Sequence, residues 1–127
     1  MITKRRVLLV DDELSIIKMI GKRLEVEGFE VLIAMDGEQA LQMARTEHPD
    51  VIVLDLMLPK LDGFKICEQL KKKDNAMDIP IITIFSGRGS DIDAQRCMDL
   101  GAAAYVTKGE GATPLIQKIR TLLSELD

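Results

Sequence analysis

Five side chains of this sequence could do chemistry together: the adjacent carboxylates Asp11 and Asp12, a third carboxylate at Asp55, the hydroxyl of Ser86 and the ammonium of Lys108. Brought into one place, the three carboxylates repel one another unless protons or a cation compensate them. Three hard oxygen ligands suit magnesium better than zinc, with manganese as a substitute. Mg2+ is therefore the expected cofactor. A phosphoryl group approaching Asp55 would be offset by that metal and by Lys108, while Ser86 could donate a hydrogen bond to a phosphoryl oxygen. Asp55 then acts as the nucleophile, and Asp11 and Asp12 form a paired metal-binding element. Taken one at a time, the same residues have plainer readings, with Asp12 capping a helix and Ser86 ending a strand.

Such a site needs elements that bring four separated stretches of chain to one rim. The sequence alternates short apolar runs with longer segments whose apolar residues return every three or four positions, which is the pattern of βα units. The strand candidates are 7–10, 30–33, 51–54, 81–85 and 104–106, and all but the second are nearly continuous apolar runs, as strands covered on both faces require. Asp11, Asp55, Ser86 and Lys108 lie at or just after the ends of four of them. Ile16, Ile17, Ile20 and Leu24 mark one face of a first helix, and Leu115, Ile116, Ile119, Leu122, Leu123 and Leu126 one face of the last. Helices are also expected at 38–47, 64–73 and 91–99. Asp36 with Gln39 and Ser90 with Asp93 read as capping boxes, Thr113-Pro114 as a cap before a first-turn proline, and Gly28 and Gly101 as helix exits. Five βα units in 127 residues favour an α/β, doubly wound parallel sheet in three αβα layers over a barrel. In such sheets ligands bind beyond the carboxyl ends of the strands.

At this point the sequence resembles the receiver domain of bacterial two-component response regulators. The resemblance rests on Leu8-Leu9-Val10-Asp11-Asp12-Glu13, on Asp50 to Pro59 with Asp62-Gly63, on Pro80-Ile81-Ile82 leading to Ser86, and on Gly101-Ala102 leading through Tyr105 to Lys108, and it covers residues 1–127 as one domain. It implies a flavodoxin-like, five-stranded sheet in order 2-1-3-4-5 with five helices. It also implies phosphoryl transfer to Asp55 from a histidine kinase or histidine phosphotransfer protein. In that family's pattern Asp12 and Asp55 hold magnesium through carboxylate oxygens, the backbone carbonyl of Met57 supplies another ligand, and Asp11 acts through a coordinated water. Lys108 pairs with the acyl phosphate. Ser86 follows the phosphoryl oxygens and, with Tyr105, remodels the surface of the fourth helix, fifth strand and fifth helix.

Two departures from the family pattern stand out. The lysine is commonly followed by proline, often through a cis bond, whereas Lys108 precedes Gly109-Glu110-Gly111. A cis bond without proline costs about 2.5 to 4 kcal/mol, so a trans connection and an altered or mobile loop before Thr113 are expected, with Lys108 still aimed at the site. Ala103-Ala104 also stands where acidic residues are common. Met57 and Arg88 occupy variable positions that in similar domains tune the access of attacking water.

Composition excludes several other classes. Aromatic residues make up 3% of the chain and Trp is absent, which leaves no stacking platform for bases; a formal net charge of -4 gives no attraction to phosphate backbones. Direct nucleic-acid binding is not expected. No run approaches the roughly 18 apolar residues of a membrane span. One histidine, His48, cannot build a histidine-rich zinc site, and no nucleotide-binding glycine motif is complete. Cys67 and Cys97, outside any CxxC motif, read as packing residues in a reducing, cytoplasmic setting. Met19, Met35, Met43, Met77 and Met98 read as core filling. The alternative function is a phosphorylation-independent pseudo-receiver acting as a protein-interaction module, and a hydrolase is the third reading. Output is expected from a downstream protein or a covalently linked domain, and the resemblance also admits a homodimer.

Overall fold

The computed structural model describes residues 4–72, 80–87 and 90–126. Five strands, β1 (Arg6–Val10), β2 (Glu30–Ala34), β3 (Val51–Leu54), β4 (Ile81–Ser86) and β5 (Ala104–Thr107), alternate with five helices. These are α1 (Leu14–Val26), α2 (Gly37–Glu47), α3 (Gly63–Lys71), α4 (Asp91–Asp99) and α5 (Ala112–Ser124). The strands form one parallel sheet in the order β2-β1-β3-β4-β5, the doubly wound topology expected. Its register aligns Val10 with Ala34 and Leu54, Leu54 with Ile84, and Ser86 with Thr107. The residues that follow β1, β3 and β5 and the end of β4 therefore share one rim.

Alternation along each strand divides the core in two. Leu8, Val10, Ile52, Leu54, Ile82 and Ile84 face α2, α3 and α4, where they meet Ala40, Ala44, Ile66, Leu70 and Cys97. Val7, Leu9, Val51, Val53, Phe85 and Val106 face α1 and α5, where they meet Ile20, Leu24, Leu115, Ile116 and Ile119. The central strands are buried on both sides, which is why their sequences show no polar alternation. Edge strand β2 is covered less well, and Ile33 is 42% exposed.

Helix starts follow local capping chemistry. The Asp36 carboxylate accepts from the Gln39 N–H at 2.8 Å while the Gln39 side chain accepts from the Met35 N–H, and Ser90 Oγ accepts from the Asp93 N–H at 3.1 Å. Asp62 caps α3 in the same way through the Lys65 N–H at 2.9 Å. Gly28 and Gly101 end helices with φ of 99° and 107°, the left-handed region that glycine enters without strain.

Several expectations need correction. The cap at Thr113-Pro114 is displaced, because α5 already begins at Ala112 after Gly111, whose φ of 84° turns the chain. Pro114 still fits, since first-turn N–H groups have no acceptor within the helix. The expected loop before Thr113 is one turn of 3-10 helix, Lys108–Glu110, closed by the Gly111 N–H donating to the Lys108 carbonyl. No peptide bond among the described residues is cis, so Lys108-Gly109 is trans. Leu126 lies beyond the end of α5 and is exposed. Of the methionines read as core filling, Met43 packs on the core, but Met19, Met35 and Met98 are exposed and Met77 lies outside the described residues. Met19 and Met98 sit on helix faces turned away from the sheet, and Met35 follows the uncovered edge strand.

Candidate functional site

Asp11 and Asp55 each follow immediately on a buried strand, and backbone hydrogen bonds continue the sheet through them. The Asp11 N–H donates to the Ala34 carbonyl at 3.1 Å and the Asp55 N–H to the Val10 carbonyl at 3.2 Å. That pairing fixes the two acids side by side. Both are buried, Asp12 is exposed, and one carboxylate oxygen from each of the three lies within 4.8 Å of the others. Such a trio of hard oxygen donors is capable of coordinating a divalent cation.

Lys108 reaches the same point from the end of β5. Its Nζ lies 2.9 Å from Asp11 Oδ2, 3.2 Å from Asp55 Oδ2 and 3.0 Å from Glu13 Oε1. Burial opposes the lysine's charge, but the hydrogen bonds to Asp11 and Glu13 and the Asp55 and Asp11 charges outweigh it and hold the ammonium above its usual range. Burial pushes the Asp11 carboxyl above its ordinary value, assisted by the Asp55 charge and resisted by the Glu13 N–H and by Lys108. Each remaining carboxylate oxygen is aimed by its own loop: Asp11 Oδ1 accepts from the Glu13 N–H at 2.9 Å and Asp55 Oδ1 from the Met57 N–H at 3.3 Å.

The other residues singled out in sequence fall as follows. Ser86 is fully buried as the last residue of β4, between the strands that deliver Asp55 and Lys108. Met57 presents an exposed side chain beside the acids. Tyr105, on β5 opposite Ile84, is half-buried against the α2–α4 side of the core and lies outside the carboxylate trio. Arg88 lies outside the described residues. Glu13, to which the sequence assigns no role, joins the site through Lys108. Its adjacency to the acidic pair was the only signal, and its contact depends on where a lysine 95 positions away ends.

A tight crossing holds the loop after Asp55. The Gly63 N–H donates to the Leu56 carbonyl at 3.2 Å, and a Cβ at Gly63 would fall 2.7 Å from the Asp55 carbonyl oxygen. Next to Gly63, the Phe64 ring carries the Arg96 guanidinium 4.0 Å from its centroid. Cys67 and Cys97 are both buried in this half of the core and are not in a disulfide, and burial pushes the Cys67 thiol up to about 12.

Residues 7–120 match the response regulator receiver domain. The chain belongs to that family. Over 122 residues the receiver is 43% identical to the probable transcriptional regulator ycf27 of Cyanophora paradoxa, covering 96% of this chain and 49% of that protein. Over 119 residues it is 39% identical to the alkaline phosphatase synthesis transcriptional regulatory protein PhoP of Bacillus subtilis, covering 94% of this chain and 48% of that one. The chain thus spans about half the length of the curated relatives it matches. Among solved structures, the receiver domain of Francisella response regulator 1452 superposes with a TM-score of 0.88 at 30% identity, covering 98% of this chain and 100% of that one. The chemotaxis response regulator CheY4 of Vibrio cholerae gives 0.85 at 28% identity, covering 94% and 98%. No helix of the described receiver is long and apolar enough to cross a membrane.

Proposed function

We propose that residues 1–127 form one phosphoacceptor domain that catalyses its own Mg-dependent phosphorylation at Asp55 from a phosphohistidine donor. The observation carrying this reading is the convergence of Asp11, Asp12 and Asp55 on one rim with Lys108 bound between two of them. Asp12 and Asp55 would hold magnesium through carboxylate oxygens, Asp11 through a water and Met57 through its backbone carbonyl, a donor set made wholly of hard oxygens. When bound, the metal offsets the negative charge of the acids and the incoming phosphoryl group.

The chain's own residues do the rest. A carboxylate oxygen of Asp55 forms the new bond to phosphorus, while the phosphorus–nitrogen bond of the donor breaks with its electron pair on the imidazole. The Met57 N–H orients the Asp55 carboxylate, and Lys108, already 3.2 Å from it, moves onto the phosphoryl oxygens that arrive there. Ser86 donates a hydrogen bond to the same group. Drawing this buried hydroxyl toward the site leaves room for Tyr105 on the neighbouring strand to repack, which shifts the population of the α4, β5 and α5 surface. Met57 and Arg88 tune attack by water on the acyl phosphate.

The partners follow from this reading: a histidine kinase or histidine phosphotransfer protein upstream, and downstream a separate protein or a linked output domain, all in the cytoplasm, with a homodimer as one form of the active state. Relatives about twice as long that are named transcriptional regulators support a linked output. Intact-mass measurement with magnesium and acetyl phosphate tests the core of it. A single phosphate increment on the chain that disappears in Asp55→Asn is the expected result; no increment on the unaltered chain would favour a phosphorylation-independent interaction module, and sustained donor turnover without an adduct would favour a hydrolase.

A further inference from the structure

Beside the carboxylates opens a cavity of about 620 Å³, lined among others by Asp12, Leu56, Met57, Asp62, Phe64 and Arg96. We infer that it receives the leaving group of acyl phosphate donors, with Arg96 as its anion-recognising residue; this rests on the reading of Asp55 as phosphoacceptor. Leu56 and Met57 are the two residues after Asp55, and the Asp12 carboxylate lies within 4.8 Å of the Asp55 carboxylate, so the cavity adjoins the acceptor itself.

Its charges differ in what they are free to do. Asp62 spends a carboxylate oxygen on the Lys65 N–H as the cap of α3, and Asp12 belongs to the metal-binding trio. Arg96 is held over the Phe64 ring, and its guanidinium makes no hydrogen bond or ion pair among the described residues. Its N–H donors, which lie in the guanidinium plane, remain available for a carboxylate. A placed cation, an apolar lining from Leu56 and Phe64 and an opening beside Asp55 together fit an organic carboxylate leaving group.

The chemistry makes the pocket selective. In transfer from an acyl phosphate, an Asp55 oxygen bonds to phosphorus and the bond from phosphorus to the acyl oxygen breaks, its electron pair leaving on a carboxylate that needs no proton. Negative charge therefore grows on the departing group, where Arg96 can stabilise it. In transfer from phosphoramidate the phosphorus–nitrogen bond breaks and neutral ammonia leaves, so Arg96 has nothing to stabilise. The same holds for an imidazole leaving a phosphohistidine.

The test compares initial phosphorylation rates with acetyl phosphate and with phosphoramidate, both with magnesium, read by intact mass. In Arg96→Gln the ratio of the two rates falls about tenfold, the effect of one lost hydrogen bond to a charged group. Arg96→Lys, which keeps the charge, restores most of the ratio, and Lys118→Gln, an exposed charge on α5, leaves it unchanged. A ratio cancels any loss of folded protein, because both donors report on the same sample. An unchanged ratio in Arg96→Gln, or an equal fall in Lys118→Gln, overturns the pocket. Absence of any adduct from either donor on the unaltered chain overturns instead the phosphoacceptor reading beneath it.

Discussion

Among the described residues, Asp11 is the carboxylate least favourably placed for its charge: it is 1% exposed, and the Asp55 charge beside it adds to the burial that pushes its carboxyl upward. A folded-state pKa above the ordinary value of 3.8 means that the folded chain holds this proton more tightly than the unfolded chain does. Its contribution to stability is then present below 3.8 and is lost as pH rises through the raised value. Asp11→Asn removes that liability at neutral pH. In metal-free buffer its urea midpoint should lie above that of the unaltered chain at neutral pH, with the gap closing as pH falls toward 3.8; an equal or lower midpoint at neutral pH would show that Lys108 fully compensates the acid. Asp11, Asp12, Asp55 and Lys108 were legible in sequence because each lies within two residues of the end of an apolar run, and those ends share one rim. Glu13 was not, since its contact is set by the end of a flexible lysine stem, and residue type does not record where such a stem stops.

At the scale of elements, the site depends on α3 starting within contact of the strand end that carries Asp55. A methyl group at Gly63 would meet the Asp55 carbonyl oxygen at 2.7 Å and the Leu56 Cα at 2.8 Å, backbone atoms that cannot rotate away. Gly63→Ala should therefore cost about 2 kcal/mol in urea unfolding, as overpacked sites do, and should slow Asp55 phosphorylation by displacing its loop. Gly109→Ala is the matched comparison, because nothing lies within 4 Å of its added carbon and its φ is not positive; it should stay within about 0.5 kcal/mol. Equal costs at the two positions would remove the crossing as the cause. Element starts were readable where the chemistry is local, as at Asp36 and Ser90, whose side chains cap the N–H groups three residues on. Thr113-Pro114 offers the same local signal, yet the positive φ of Gly111 starts the helix earlier. The exposure of Met19 and Met98 likewise depends on which helix face meets the sheet, which composition does not state.

For the molecule as a whole, the order of the strands was not legible in periodicity; it came from resemblance, since buried parallel strands read alike and their hydrophobic runs carry no address. The sheet order explains why charge matters so much here. It gathers three of the acids behind the net charge of -4 at one rim, and Lys108 is a half-buried cation set among them. One ammonium facing Asp11, Glu13 and Asp55 leaves negative charge uncompensated, so a divalent cation should bind the folded chain and not the unfolded one, in which the acids are scattered. Linkage then sets the size of the effect: magnesium at ten times its dissociation constant stabilises by about 1.4 kcal/mol, or roughly 5 °C in melting temperature for a domain of this size. Asp12→Asn should abolish the shift while leaving the metal-free melt nearly unchanged, because Asp12 is the exposed member of the trio and supports no packing. The melts are to be compared at equal ionic strength, since screening by sodium chloride also relieves repulsion among the acids. A shift that sodium chloride reproduces, or that survives in Asp12→Asn, would mean that the rim attracts cations diffusely and that the three carboxylates do not act as one site.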